Sequence, residues 1–305
     1  MSGGDIMELK ESEPPLAAHS EPAARRCQLP KPSDRLSLGK SGLKVSPFCL
    51  GRTAAPETVV AAYEAGINFF FVSADLHWPL YEGIRTGLAK LFEGNPSRRN
   101  EIVVGVVSYL DEPLFSALQF DEVIEAVPGL ERVDLLIAGA VSSEPSFFSR
   151  LSSLQRARAN RLHGAAAIGA SFHQRPLARI AGQDELLDIS YVRFNSAHPG
   201  ARTDLFPYLR PARSTLVFNF KSMLPLVTEG MAGAPGLPAP NWRPEPCDYY
   251  RFVLSRPELD GVLCSPMNGA ELRAMVAATE KGPLSKEQED DMIWLSSLTR
   301  GPVLT

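Results

Sequence analysis

The side chains best equipped for chemistry gather in one short loop. Asp75, His77, Trp78 and Tyr81 follow the apolar run 67–72 in a segment that also carries Pro79. A carboxylate, an imidazole, an indole and a phenol are thereby placed at the end of what reads as a buried strand. An imidazole beside an apolar wall is a proton donor or acceptor near neutral pH. Asp75 would raise its pKa and burial against Trp78 would lower it, so the sequence leaves the net direction open. Lys221, between Phe220 and Met223, is a second candidate. It reads either as a desolvated amine able to form a Schiff base or as a lysine whose stem lies over apolar neighbours. Tyr109, just past the run 101–107, completes a candidate catalytic set of His77, Tyr81, Asp75, Lys221 and Tyr109.

The elements that must position this set are legible as an alternation. Apolar runs at 47–50, 67–72, 101–107, 133–139, 165–170, 188–194, 214–220 and 261–264 are separated by helical patterns at 56–65, 80–92, 121–126, 146–159, 176–180, 205–209 and 248–255. Short, continuously apolar strands between helices are what a parallel sheet buried on both faces requires. Eight such strands, with no glycine-rich dinucleotide loop after the first, predict a closed (β/α)8 TIM barrel rather than an open sheet. Gly39-Lys40-Ser41-Gly42 between Leu38 and Leu43 reads as an N-terminal hairpin. Two helices at 270–279 and 286–296 close the chain, the second opened by a Ser285/Gln288 capping box. The segment 231–246 is too rich in Pro and Gly for regular structure and reads as a loop after the seventh strand. Residues 1–34 read as a flexible tail and 35–305 as a single barrel domain.

In a barrel of this kind the loops after the strands share one face, where catalytic groups sit. That face would carry Ser108, Ser142, Ser143, Glu144, His173, Arg193, Asn195, His198, Asn219, Ser222, Ser265 and Asn268, a crown suited to a small-molecule pocket. His163 would lie on the opposite face and serve structure. Cys264 reads as a structural thiol before a nucleophile.

Composition narrows the partners. The 305 residues are 44% hydrophobic and 22% charged, with a net charge of −4, so the body can bury a core and has no electrostatic reason to bind nucleic acid. The four cysteines lack metal-ligand spacing, no apolar run is long enough for a membrane span, and the acidic start lacks a signal peptide's features. A cytoplasmic protein with a small-molecule ligand is expected. Phosphate-loop, zinc-protease and nucleophile-elbow motifs are missing.

The blocks EAGINFF (64–70), NEIVVG (100–105), VDLLI (133–137), AAIGAS (166–171), LVFNFKSM (216–223) and a long final block over 250–276 stand in an order that resembles the aldo/keto reductase family. The resemblance spans about 35–292 and agrees with the barrel. It implies NADPH-dependent carbonyl reduction by an Asp, a Tyr, a Lys and a His at the ends of strands two to four. Here Phe71 stands at the Asp position, Leu76 or His77 at the Tyr position, Val107 at the Lys position and Gly139 at the His position. At the cofactor positions the resemblance points to Ser171, Tyr191 and Arg273, of which Ser171 keeps the family's residue type. Three readings follow: a repurposed enzyme working on a small carbonyl or amino metabolite by acid–base chemistry, a non-catalytic binding or regulatory barrel, and an atypical NADPH-dependent oxidoreductase.

Overall fold

The apolar runs form strands that are buried along nearly their whole length, and in the computed structural model, which describes residues 25–110, 113–223 and 242–298, they pair in parallel. They are β3 (Phe48–Leu50), β4 (Phe69–Ser73), β5 (Val103–Ser108), β6 (Leu135–Val141), β7 (Ala167–Phe172), β8 (Ile189–Arg193), β9 (Leu216–Phe220) and β10 (Gly261–Cys264). Because β10 pairs back onto β3, the sheet is a closed eight-stranded barrel. Around it lie α1 (Glu57–Glu64), α2 (Glu82–Gly94), α3 (Pro113–Ala126), α4 (Glu144–Ala159), α5 (Arg175–Gln183), the one-turn α6 (Ala201–Asp204), α7 (Asp248–Leu254), α8 (Gly269–Glu280) and α9 (Lys286–Ser297).

Strand alternation divides the core in two. Phe70, Val72, Val104, Val106, Leu136, Ile168 and Val192 face the helices. Phe69, Phe71, Val103, Val107, Leu135, Ile137, Ile189, Tyr191 and Phe218 fill the barrel's interior. The hairpin β1 (Leu36–Ser37) and β2 (Lys44–Val45) adds the fully buried Leu38 and Val45 to that inner cluster, which closes the N-terminal end.

One device recurs at that end. The residue just before each of β4, β6, β8 and β10 accepts a backbone N–H from the start of the strand that precedes it in the barrel, or, for β4, from just ahead of that strand. Asn68 takes Ser46 N–H at 2.7 Å, Asp134 takes Val104 at 2.8 Å, Asp188 takes Ile168 at 2.9 Å and Asp260 takes Val217 at 2.7 Å. Each of the three carboxylates is also paired with an arginine: Asp134 with Arg99 at 2.8 Å, Asp188 with Arg158 at 3.0 Å and Asp260 with Arg213 at 2.7 Å. Asp188 further accepts the Lys40 N–H at 3.0 Å, which ties the hairpin down. Gly39 adopts φ +53° there, and a Cβ on it would lie 2.1 Å from the Asp188 carboxylate. Only glycine permits so close an approach.

Several boundaries differ from the sequence reading. The helix expected at 121–126 starts at Pro113, where a proline suits the first helical position. The one expected at 205–209 is a 3-10 turn over Phe206–Tyr208, preceded by α6. The Ser285/Gln288 capping box is present as expected. Of the supposed tail, residues 1–24 lie outside the described residues, but 25–34 are anchored rather than free. Arg25 donates to Leu284 O at 2.7 Å and pairs with Glu289, Arg26 donates to Leu259 O at 2.6 Å, and Leu29 is buried. The loop expected at 231–246 lies outside the described residues up to 241.

Arg99 is 1% exposed, so removing its partner leaves a buried charge. Asp134→Ala is expected to cost about 3–5 kcal/mol in denaturant unfolding, with Arg99→Met in the same chain recovering part of the loss. A cost under about 1 kcal/mol would show that the bracket is dispensable.

Candidate functional site

The loop after β4 folds back on itself within a few residues. Ser73 Oγ accepts the Asp75 N–H at 3.1 Å, Asp75 Oδ1 accepts the His77 N–H at 3.0 Å, and Trp78 N–H donates to Asp75 O at 3.2 Å. Pro79 then opens the one-turn 3-10 helix Pro79–Tyr81, since its fixed φ and missing N–H suit a helix start. This reversal turns His77 away and Tyr81 inward. The His77 side chain is 99% exposed, with Nδ1 3.8 Å from Asp75 Oδ1. It lines a shallow groove with Leu76, Arg85, Ala126 and Pro128, outside the barrel beside α2. His77 and Asp75 are thus near each other, but the structure does not bring them together with Tyr81, Tyr109 or Lys221.

Tyr81 instead joins a column of rings running down into the barrel. Its ring centroid lies 5.9 Å from Trp78 and 6.4 Å from Phe71. Trp78 lies 5.4 Å from Tyr109, Phe71 lies 5.4 Å from Tyr191, and Tyr191 lies 6.1 Å from Phe218. Burial pushes the Tyr81 phenol well up, with Tyr109 adding to the shift, and burial raises Tyr109 too. Val107 and Gly139 adjoin at the inner mouth, and Phe71 lies in the same interior cluster as Val107, one step deeper in register. A Cβ on Gly139 would lie 2.5 Å from the Tyr109 ring and 2.7 Å from Val107 Cγ2. The Tyr109 ring therefore occupies the space a side chain at 139 would need.

Arg150 from α4, which no sequence signal singles out, donates to Gly139 O at 2.8 Å and Ser108 O at 2.6 Å. It ties the ends of β5 and β6 beneath the rings. Trp78, Leu80, Tyr109 and Leu110 form an apolar rim above, each 38–39% exposed.

The other side of the mouth is basic. His173 follows β7, Arg193 ends β8 and Lys221 follows β9. Arg193 is in register with Phe220, whose ring lies 6.0 Å from His173 and 5.9 Å from Lys221 Nζ. The His173 imidazole is held below its usual range by burial first, then by Lys221 and Arg193. Lys221 is exposed, so its amine is not in the dry setting a Schiff-base lysine needs. Its backbone is left-handed, φ +59°, with its carbonyl accepting from the Asn195 amide at 2.8 Å. Asn219 ties β9 to Val192 O and Phe194 O, so two of the three asparagines of the expected crown serve to hold this corner. Asn268 caps α8, accepting from Ala270 and Glu271.

Ser171, Tyr191 and Arg273 do not converge. Ser171 Oγ accepts the Ala140 N–H at 2.8 Å, at a bulge in β6 where Ala140 has φ +53°. Tyr191 is sealed at 0% exposure among Phe71, Phe218 and Cys49, its hydroxyl 3.7 Å from Cys49 Sγ. Arg273 is an exposed residue of α8, beyond β10 and three strand positions round the barrel from Ser171. With Ser171 already bonded to the backbone and Tyr191 enclosed by rings, these residues do not fit a nicotinamide carboxamide. Cys264 donates to Cys49 O at 3.3 Å and burial pushes its thiol up to about 12, as befits a structural thiol. His163 pairs with Asp121 at 2.8 Å on the other face. No group of potential metal ligands occurs among the described residues, and no helix among them is long and apolar enough to cross a membrane.

No protein-family model matches the sequence, and no curated protein does. Solved structures do match. A Pseudomonas aeruginosa protein described as an aldo-keto reductase superposes with a TM-score of 0.61 at 16% identity, over 84% of this chain and 98% of its own. An aldo-keto reductase of Bacillus halodurans in its holo form gives a TM-score of 0.61 at 14% identity, over 86% and 96%, and its apo form 0.58. The barrel is of aldo/keto reductase type.

Two outcomes follow from this geometry. His77→Ala is expected to change stability by no more than about 0.5 kcal/mol, because the imidazole touches little; a larger loss in thermal unfolding would contradict its exposure. Burial raises the phenols of Tyr81, Tyr109, Tyr191 and Tyr250. The folded chain therefore holds protons that the unfolded chain releases, and stability falls as pH rises above about 10. The tyrosinate absorbance of these four should appear together with loss of structure. Full ionisation of all seven tyrosines in a still-folded protein would refute the packing.

Proposed function

We propose that this protein binds a small molecule at the C-terminal mouth of its barrel and does not reduce carbonyls through the tetrad that its fold type suggests. The observation that carries this reading is the Tyr109 ring lying in the side-chain space of Gly139, against Val107 and beside the Tyr81–Phe71 column. Hydrocarbon and phenol occupy the point where the Asp, Lys and His would converge. Without an ammonium beside it, the Tyr81 phenol is raised rather than lowered, which is the wrong direction for a general acid near neutral pH. The apolar rim on one side and the basic groups on the other supply the mixture of surfaces that a ligand pocket needs.

The second reading is an enzyme that transfers protons. His173 supports it, since an imidazole held below its usual range is uncharged near neutral pH and able to act as a base. His77 contributes less to that reading because it is turned to the groove outside the barrel, and Lys221, exposed as His173 itself is, enters it as one of the cations that hold that imidazole down.

The test pairs a thermal-shift screen of small metabolites with an assay of NADPH oxidation against aldehydes and ketones. The expected result is stabilisation by particular ligands, about 2.7 kcal/mol at a hundred times Kd, with no carbonyl-dependent oxidation. Carbonyl-dependent oxidation that Tyr81→Phe abolishes would overturn the proposal in favour of a reductase.

A further inference from the structure

Arginines in this chain are paired almost wherever they are withdrawn from solvent. Arg99, Arg158, Arg175, Arg202, Arg213 and Arg251 each meet a carboxylate at 2.6–3.0 Å. Arg150 is satisfied by two backbone carbonyls. Arg193 breaks the pattern. It is half-buried at the mouth, its Nε is shut off from solvent with no partner, and its guanidinium has no hydrogen bond or ion pair among the described residues. Lys221, the next basic group, is equally without an ion pair there, although Asp and Glu outnumber Lys and Arg in the chain by 35 to 31. A buried donor left unmatched costs free energy that a ligand can recover. The local backbone holds the arrangement in place: Lys221 keeps a left-handed conformation, and Asn195 and Asn219 fasten β8 to β9. Strain of this kind collects at ligand sites.

Resting on the reading of the mouth as a ligand pocket, we propose that His173, Arg193 and Lys221 form an oxyanion site with the Phe220 ring as its wall. The ligand class is a small molecule that carries a carboxylate or phosphate on a flat or apolar body. Arg193 offers the planar two-pronged donor that matches either oxyanion. Lys221 adds a point charge over the same ring, and His173 gains a proton as the anion arrives. Carboxylate and phosphate share this chemistry and differ in size and charge, so the test separates them.

The full chain is titrated with benzoate, phenyl phosphate and the uncharged benzamide, following heat of binding and the His173 ring protons by NMR across pH 5–8, the window in which imidazoles titrate. Saturable binding of benzoate or phenyl phosphate, a rise in the His173 pKa on binding, and benzamide weaker by at least about tenfold are expected. The stronger of the two anions identifies the head group. Arg193→Gln should lose at least about tenfold in affinity at unchanged melting temperature. Should Arg193→Gln fold poorly, the exposed Lys221→Asn, which tolerates the left-handed backbone, must weaken anion binding and flatten its salt dependence. Benzamide bound as tightly as benzoate would overturn the oxyanion site while leaving the mouth a ligand pocket. Absence of binding by both anions, or anion binding indifferent to Arg193→Gln and Lys221→Asn, would overturn it as well.

Discussion

The N-terminal end of the barrel depends on one repeated contact, a side-chain oxygen placed before every second strand that takes a backbone N–H from the strand before it or from just ahead of that strand. A parallel strand that starts at the edge of a barrel leaves its first donor without a ladder partner, and burial makes such an orphan costly. Asn68, Asp134, Asp188 and Asp260 solve this with the same geometry. Three of them are charged, and each is matched by a guanidinium, which offsets the cost of burying Asp134 and Asp188 and of half-burying Asp260. The register of four strand pairs is thereby fixed from one end. The hairpin then uses the same Asp188 as its anchor, so the closure of the barrel floor and the alignment of β7 with β8 are a single linked arrangement.

With alignment secured at the floor, the mouth is free to vary. Its two halves are built from different chemistry. From β4 to β6 the interior is packed with rings, and Phe71, Tyr191 and Phe218 continue that packing to the barrel centre. From β7 to β9 the strand ends carry nitrogen groups and one ring, held by amide side chains that pair with backbone. Aromatic packing provides area and stiffness, whereas unpaired cations provide a field. The barrel keeps the shape of aldo/keto reductases while the surfaces at its mouth differ from what the resemblance implies.

The fold was readable because its signals are local. Runs such as 261–264 are apolar on both faces, and a strand between two layers has to be. The hairpin and the capping box are likewise written in neighbouring residues. The direction of a loop is not. His77 and Tyr81 are four positions apart in a loop, and which of them enters the barrel is decided by the Asp75 turn and the helix at Pro79 together, with no periodicity to reveal it. The anchoring of residues 25–34 escaped for a different reason: Arg25 and Arg26 find partners more than 220 residues away, and in composition they belong to the polar segment before them. Arg193 was visible as one of many polar residues at strand ends, and its want of a partner is a property of three dimensions alone.

The contact between Tyr109 and Gly139 also constrains how such a protein can change over generations. With the tyrosine ring 2.5 Å from where a Cβ would stand, no residue larger than glycine fits at 139 until position 109 has been vacated or its ring swung outward. The opposite order is open, because Tyr109 is already 38% exposed and a smaller residue there forfeits some packing without a clash. Substitutions at the two positions are thus coupled through the space they share. A side chain at 139 therefore requires the Tyr109 ring to leave its present place, by turning toward solvent or by replacement with a smaller residue.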